Sequence, residues 1–423
     1  MADSARAPAI RFILVCVLID VIGIGLALPV LPGLVGEFTA NRQLQALWYG
    51  ALGLAFGAAQ FLCAPLLGAL SDRFGRRPVL LAAIGGMGFM FLASALVQSV
   101  QALLVARIVG GALAANFAVA SAYVADLTAP ERRAAAFGKI GAAFGAGFIL
   151  GPALGGVLGQ IDIRLPFYAA ALLSAANWLY GCFVLPESLP RERRHAVAWR
   201  HTNPFTALVG LVRLRGLGSL VAVIALTNLA QFVVQATWVL YTGFRFAWGP
   251  AQSGWSLFTV GVVVVLVQGF LLKCLLINLG ERRLVLWGLW SGTIGFVGYG
   301  LAPYGWLLVA IIGANFMSFA VAPTLQGSVS RLVDPLEQGH AMGALTGLGS
   351  LMGVLAPLLG SGLLAAVSPL PAHDWRLGAP FFLSAALQLA ALLLAWLHFA
   401  GESSAGATVT EAAAAATPAA ASR

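Results

Sequence analysis

Gly68-Ala69-Leu70-Ser71-Asp72-Arg73-Phe74-Gly75-Arg76-Arg77 is the stretch from which the rest of the chain can be read. It sets Asp72 and three arginines between two long apolar runs, near 48–70 and 79–98. Each run has about the 20 residues that a helix needs to cross a hydrocarbon core. Gly68 allows close helix packing and Gly75 a tight turn. Asp72 can cap a helix start and accept a hydrogen bond from an arginine. An ordinary basic loop with turn residues explains parts of this string but not the whole of it.

Outward from that loop the pattern repeats. The chain has 423 residues, 60% hydrophobic and 9% charged, with a mean hydropathy of +0.91. A soluble chain is about 45–50% apolar and about 25% charged. Soluble enzyme, secreted disulfide scaffold and disordered protein are excluded, because too little polar surface exists to face water. Spans are expected near 12–33, 48–70, 79–98, 102–125, 137–160, 166–185, 218–241, 252–275, 284–301, 305–327, 341–367 and 378–399. All must be helices, since an open strand leaves backbone groups unpaired in lipid. The basic, then apolar, N-terminus reads as a retained first helix, because its apolar run is longer than a signal core.

The net charge of +9 is a topology signal and not a nucleic-acid footprint. With the N-terminus inside, 18 of the 24 Lys and Arg fall in cytoplasmic segments and 4 outside. That bias places both termini in the cytoplasm. The expected organisation is a six-helix bundle over 1–186, a cytoplasmic linker over 187–216, a second six-helix bundle over 217–400 and a disordered tail over 401–423. Cys16, Cys63, Cys182 and Cys274 lack metal-ligand spacing and read as small buried residues.

An internal repeat supports two halves. Gly141, Gly145, Gly147 and Gly151 in span five recur as Gly343, Gly347, Gly349 and Gly353 in span eleven, at an offset of 202. Gly75 and Gly280, in two tight hairpin loops, are offset by 205. Span five continues with Pro152, Gly155 and Gly156. Glycines at spacings of four line one helix face and admit a neighbouring backbone closely. Pro152 removes a helix hydrogen bond and can kink the span. A generic packing stripe would read the same way.

The loop at 68–77 resembles the signature of the major facilitator superfamily. The span-five glycines with Pro152 resemble the motif of its drug/proton antiporter branch. Asp20–Leu26 with Pro29–Pro32, Gly151–Gly156, Arg245–Trp248 and Pro323–Gly327 are similar to the tetracycline/proton antiporter family, so the resemblance covers nearly the whole chain. It implies an all-α fold of two six-helix pseudo-repeats, a substrate site between the halves near the midplane, and proton-driven export of a small amphipathic compound. It also implies a cytoplasmic charge pair of Arg76 with Asp126. With Asp72 reaching toward the start of span eleven, these residues would form a gate holding the outward-facing state; solvated loop charges are the alternative. Membrane aspartates of that family in spans three and nine fall here on Met90 and Gly292, which favours a different or broader substrate range.

Charges inside the spans need a purpose, since each costs at least about 2.5–3.5 kcal/mol at the bilayer centre. Asp20 lies about 13 Å into span one, near the midplane of a core about 30 Å thick. It reads as a proton-coupling or cationic-substrate carboxylate, or as a structural carboxylate bonded to a neighbouring helix. Arg107, with Gly111 four residues on, resembles the span-four arginine that the family ties to proton transfer; a structural arginine is the alternative. The depths set Arg107 about 10 Å from Asp20 along the membrane normal, which argues against a direct ion pair. Asn228, Gln231 and Gln235 share one face of span seven. Gln60, Asn116, Gln268, Asn315 and Gln326 are isolated polar groups, and Phe232 and Trp238 could stack on an aromatic substrate. Each is a cavity candidate or helix–helix glue.

The sequence holds no paired carboxylates, histidine cluster or nucleotide loop, so neither an enzyme nor an ATP-driven pump is expected. The expectation is a monomeric exporter in the cell's inner membrane that exchanges a small molecule for protons, with no cofactor, metal or nucleic acid. A proton-coupled carrier of a neutral or cationic metabolite is the alternative. An anionic substrate would need Arg107 to serve it.

Overall fold

The computed structural model describes residues 2–114, 116–128, 133–194, 203, 205, 217–334 and 338–415. Most of the linker (195–202, 204 and 206–216) and the end of the tail (416–423) lie outside the described residues. No strand occurs among those described.

The helices are α1 (Ala2–Ala27), α2 (Leu31–Glu37), α3 (Arg42–Phe74), α4 (Arg76–Leu96), α5 (Val100–Leu113), α6 (Asn116–Leu127), α7 (Arg133–Ile161) and α8 (Leu165–Val184) in the first half. The second half has α9 (Gly218–Phe246), α10 (Pro250–Leu266), α11 (Leu272–Leu301), α12 (Gly305–Ala314), α13 (Val321–Leu332), α14 (Gln338–Val367) and α15 (Ala379–Ala415). Eight segments are each long and apolar enough to cross a membrane. One of them, Pro250–Leu301, is 52 residues long, about 78 Å at the helical rise. That is over twice a hydrocarbon core, and the chain turns at Gly280 (φ 71°, ψ 164°), so it makes two spans. Two more spans are bent pairs, α1–α2 at 41° and α12 with Phe316–Leu332 at 50°. The pair α5–α6 makes the twelfth.

Two spans expected as continuous are thus bent. The first bends around Pro29 and Pro32, and the tenth at Asn315, whose backbone (φ −86°, ψ 22°) leaves the helical region. A proline lacks the N–H that would carry the ladder through. Val267–Leu271 is a π-helical turn, a form that often marks functional positions in helices. The last helix runs on to Ala415, where a disordered tail was expected. Segment 401–415 is rich in alanine, the strongest helix former, and has no proline before Pro418. Of the cysteines, Cys16 is buried but Cys274 is exposed. Phe183 and Leu172 are 86% and 72% exposed, as side chains facing lipid should be.

Within the first half α1 packs on α7 and α8, α4 on α8, and α3 on α5; within the second α9 packs on α14 and α15, and α11 on α15. The halves meet along two seams, α3 with α14 and α7 with α10. Lipid supplies no hydrophobic drive between helices, so close approach depends on small residues. A Cβ on Gly151 would lie 2.7 Å from the Cα of Gly25, which brings α7 against α1. One on Gly156 would lie 2.7 Å from the Pro250 carbonyl and 3.0 Å from the Cα of Gly254, across the halves. In the other seam a Cβ on Gly50 would lie 2.6 Å from that of Ser361.

These tight contacts all lie toward one end. At the other end, which carries the arginine-rich loops, Gly68, Gly138, Gly141 and Gly343 have nothing within 4 Å of a built Cβ. Among the described residues the halves therefore touch closely at the far end, and these positions at the basic end are parted from any neighbour. Arg42 adds to the far-end contact, its guanidinium 5.4 Å from the ring centre of Phe244 in the other half.

Gly50→Val drives a side chain against Ser361 and the Pro357 carbonyl of α14 and should open the α3–α14 seam at the far end. Cysteines introduced at Ala46 and Ala365, which share one buried cluster there, should cross-link several-fold less in that variant. Gly141→Val, in open space, should leave the yield unchanged. Equal yields in both variants would show that the glycine contact does not hold the seam.

Candidate functional site

The basic end of the first half is organised around Arg76. Its guanidinium reaches Asp72 at 2.7 Å, Asp126 at 3.2 Å and the Ser71 hydroxyl at 2.5 Å. The helix starts here because Gly75 turns the chain with φ at 103°, a region that side chains with a Cβ disfavour. The first N–H of α4, that of Arg76, donates to Glu187 Oε1 at 2.9 Å, and Arg194 lies 3.6 Å from Oε2. A carboxylate there satisfies an orphan donor and meets the positive end of the helix. Arg77 donates to the Cys182 carbonyl at 2.6 Å. Arg73 lies over the ring of Phe74, 5.2 Å from its centre. Asp72 is half exposed, and its ion pair among the described residues is with Arg76 of its own half.

The second half has the same device with its charges exchanged. Gly280 turns the chain, and Glu281 accepts from the Ser328 hydroxyl and from Arg331. Positions 281 and 331 are 76 and 126 shifted by the same 205 residues. Arg76–Asp126 in one half is Glu281–Arg331 in the other.

Between the halves lies a cavity of two adjoining lobes. The first, about 210 Å³, is lined by Tyr49, Phe56, Met90, Phe91, Arg107 and Gln235 among others. The second, about 200 Å³, is lined by Gln231, Trp238, Tyr299 and Asn315 among others, and shares Phe232 and Gln235 with the first. Together they fall at the lower end of the about 300–1,000 Å³ usual for small-molecule sites. A Cβ at Gly111 would overlap the Phe56 carbonyl. The bare glycine lets α5 close on α3 and sets Phe56 under Arg107, its ring centre 5.8 Å from the guanidinium carbon. Arg107 Nε is buried and has no hydrogen-bond acceptor.

Asp20 sits in a separate pocket of about 80 Å³, with Cys16, Gln60, Ala114 and Phe144. Ile24 lines both this pocket and the first lobe. The buried Asn177 amide on α8 donates to Asp20 Oδ1 at 3.0 Å and to the Cys16 carbonyl at 3.2 Å. Gln60 donates to the Ala114 carbonyl at 3.4 Å.

The cavity candidates therefore divide. Gln231, Gln235, Trp238 and Asn315 line the central lobes, and Gln60 the side pocket. Asn228, Gln268 and Gln326 line none of the three. Gln268 donates to the Phe319 carbonyl at 3.3 Å, and Gln326 is exposed. The Asn116 side chain lies outside the described residues. Trp238 donates to Ser256 at 2.9 Å, and Asn315 accepts from Ser291 at 2.8 Å, so both also bind their bundle together. Met90 lines the lobe beside Arg107. At Gly292 the Gln388 side chain fills the space, its Nε2 2.7 Å from a built Cβ. The span-five glycines serve packing: Gly147, Gly151 and Gly155 against α1, Gly156 against α10, and Pro152 against both Gly25 and Gly254.

Sequence reasoning missed Asn177, Glu187, Glu281 and Arg331. The last two were findable by carrying the repeat offset onto Arg76 and Asp126. Asn177 and Glu187 have no repeat partner and are brought in by tertiary packing alone. Outside the spans, hydrogen bonds from the Arg376 side chain and backbone hold the Asp374 carboxyl down at about 2. A carboxyl depressed in this way keeps its charge until pH falls through that value, so Asp374 is ionised near neutral pH.

The model of the Major Facilitator Superfamily matches residues 13–273. The tetracycline resistance protein, class C, of Escherichia coli is 38% identical over 384 residues, covering 91% of this chain and 95% of that protein. The class G protein of Vibrio anguillarum is 38% identical over 355 residues, covering 84% and 89%. The crystal structure of the human organic anion transporter MFSD10 (TETRAN) superposes with a TM-score of 0.66 at 28% identity, covering 92% of this chain and 99% of that one.

Gly75→Ala should be costlier than Gly280→Ala. Both strain the backbone by about 1–2 kcal/mol, but at Gly75 the methyl also strikes the Glu187 carboxylate and dislodges it from α4, whereas Gly280 faces open space. Thermal unfolding of the two purified variants checks this. An equal fall in Tm would mean that Glu187 contributes nothing to the loop.

Proposed function

The chain belongs to the major facilitator superfamily and is a membrane transporter, and we propose that it exports a small amphipathic drug or antibiotic in exchange for protons. The observation that carries this reading is the pairing of two sites. One is a central cavity with a largely apolar, aromatic lining. The other is a deep carboxylate, Asp20, in a pocket that shares Ile24 with the cavity as a lining residue. This deep carboxylate, which accepts a hydrogen bond from the neutral Asn177 amide, is the group we assign to proton exchange.

With the basic end in the cytoplasm of the inner membrane, the parted ends form a cytoplasmic entrance and the glycine seams form the outer seal. Substrate enters from inside. Export requires the α3–α14 and α7–α10 seams to open and the basic ends to close. In that closed state Asp72, already oriented by Arg76, is placed to meet the start of α14. Arg107 stands in the cavity as a fixed positive charge, and a monomer contains the whole path.

The likeness to tetracycline resistance proteins supports a drug as cargo. We read the family's membrane aspartates of spans three and nine as falling on Met90 and Gly292, which favours a different or broader substrate range. A sugar or amino acid carrier would need more hydrogen-bonding groups than these lobes supply.

Cells producing the chain should resist some members of a panel of lipophilic antibiotics, and an uncoupler should abolish the efflux. Asp20→Asn should reduce uncoupler-sensitive efflux to the level of cells without the transporter. Full resistance in Asp20→Asn cells would remove Asp20 from the coupling role, and efflux indifferent to the uncoupler would remove proton exchange.

A further inference from the structure

We propose that the compounds this transporter carries bear an anionic group, and that Arg107 binds it in the first lobe of the central cavity. The inference rests on the export reading and specifies its substrate class. Among the described residues lining the two central lobes, the formal charge is that of Arg107. No aspartate, glutamate, lysine or histidine lines either lobe. An organic cation would meet a positive wall there, with no carboxylate to receive it.

Arg107 also has no carboxylate partner among the described residues, and Tyr49 is the side chain that meets it electrostatically. Its Nε is buried without an acceptor. It also lies against the Phe56 ring face, at 5.8 Å. A guanidinium does not shed its charge, and its planar fork suits two oxygens of a carboxylate or sulfonate. Tyr49, Phe56, Phe91 and Phe232 line the same lobe. The complementary ligand is a flat aromatic body with one acidic group at its edge.

Asp20 does not contradict this. It lies in its own pocket and is bonded to Asn177, and Ile24 lines both that pocket and the lobe. Substrate and proton therefore bind at different groups. Exchange follows when the halves turn over with either site loaded but not both. An inside-negative membrane favours both movements, anion outward and proton inward. Met90 lines the lobe close to Arg107, packing 3.7 Å from a Cβ built on Gly110. An aspartate at 90 would supply the missing counter-charge and occupy Arg107.

The test is equilibrium binding of two dyes to the full chain in lipid nanodiscs, with no proton gradient present. Fluorescein is the anionic aromatic probe and ethidium the cationic one. The chain should bind fluorescein in preference to ethidium. Arg107→Gln should weaken fluorescein binding about tenfold to a hundredfold, the range of one charged hydrogen-bonded contact. Arg107→Lys should restore part of it, and Met90→Asp, which leaves Arg107 in place, should lose fluorescein and gain ethidium. Preference for ethidium, binding of neither dye, or fluorescein affinity unchanged in Arg107→Gln overturns the proposal. Its failure is separable from that of the export reading. Uncoupler-sensitive efflux restricted to cations leaves export standing and removes the anion site. Fluorescein binding through Arg107 with uncoupler-insensitive efflux does the reverse.

Discussion

Two helices can meet backbone to backbone only where neither carries a side chain, and the sealed end of this molecule depends on that. Lipid tails are as apolar as leucine, so burying leucine between spans gains little over leaving it in the bilayer. What remains is packing at short range, which the Gly25–Gly151 and Gly156–Gly254 contacts provide. The span-five glycines meet α1 on one face and α10 on the other. One helix thereby serves as core of the first half and as half of a seam. The same constraint explains why the basic end is parted: Gly138 and Gly141 continue the pattern but face no partner in this state. Glycine leaves both arrangements open, because removing a side chain permits close approach without enforcing it.

The second organising element is the turn that follows each hairpin. Gly75 and Gly280 both take positive φ, and each is followed by a charge bonded to the end of the fourth or tenth span. The polarity is reversed between halves, arginine to aspartate in one and glutamate to arginine in the other. A swap of both members preserves the pair's attraction while changing what each half presents to the other when the basic ends close. Asp72 is then the acidic group of the first half that faces outward, half exposed. Its i, i+4 bond to Arg76 holds it ready without consuming it.

Much of this was legible from composition and spacing. The twelve spans, the two halves and the hairpin glycines follow from the bilayer's thickness and from the backbone's need for internal hydrogen bonds. The bends at residues 28–30 and at Asn315 were not, because hydropathy is continuous through them; Pro29 marks the first, while at Asn315 only local backbone geometry ends the helix. Glu187 escaped notice for a different reason: it lies in a charged loop where any carboxylate reads as solvated, and only folding brings it onto the first N–H of α4. Gln326 and Gln268 illustrate the converse error. A polar residue in an apolar run suggests a cavity, yet Gln326 is exposed and the Gln268 amide is held by a neighbouring carbonyl. The one-dimensional pattern gives depth along the membrane and little about azimuth.

Depth and azimuth together also decide how the two membrane charges relate. Had Asp20 and Arg107 shared one cavity, each would have neutralised the other, since an adjacent opposite charge stabilises both ionised forms and opposes release of either. A carboxylate locked in that way exchanges protons poorly, and a guanidinium so satisfied has nothing left to offer a ligand. The structure places them in different pockets, which share Ile24 as a lining residue, and the neutral Asn177 amide donates to Asp20. Arg107 lines the larger space with the Phe56 ring beside it, its Nε buried without an acceptor. Under the proposed reading proton and cargo bind at different groups, in pockets that share Ile24 as a lining residue.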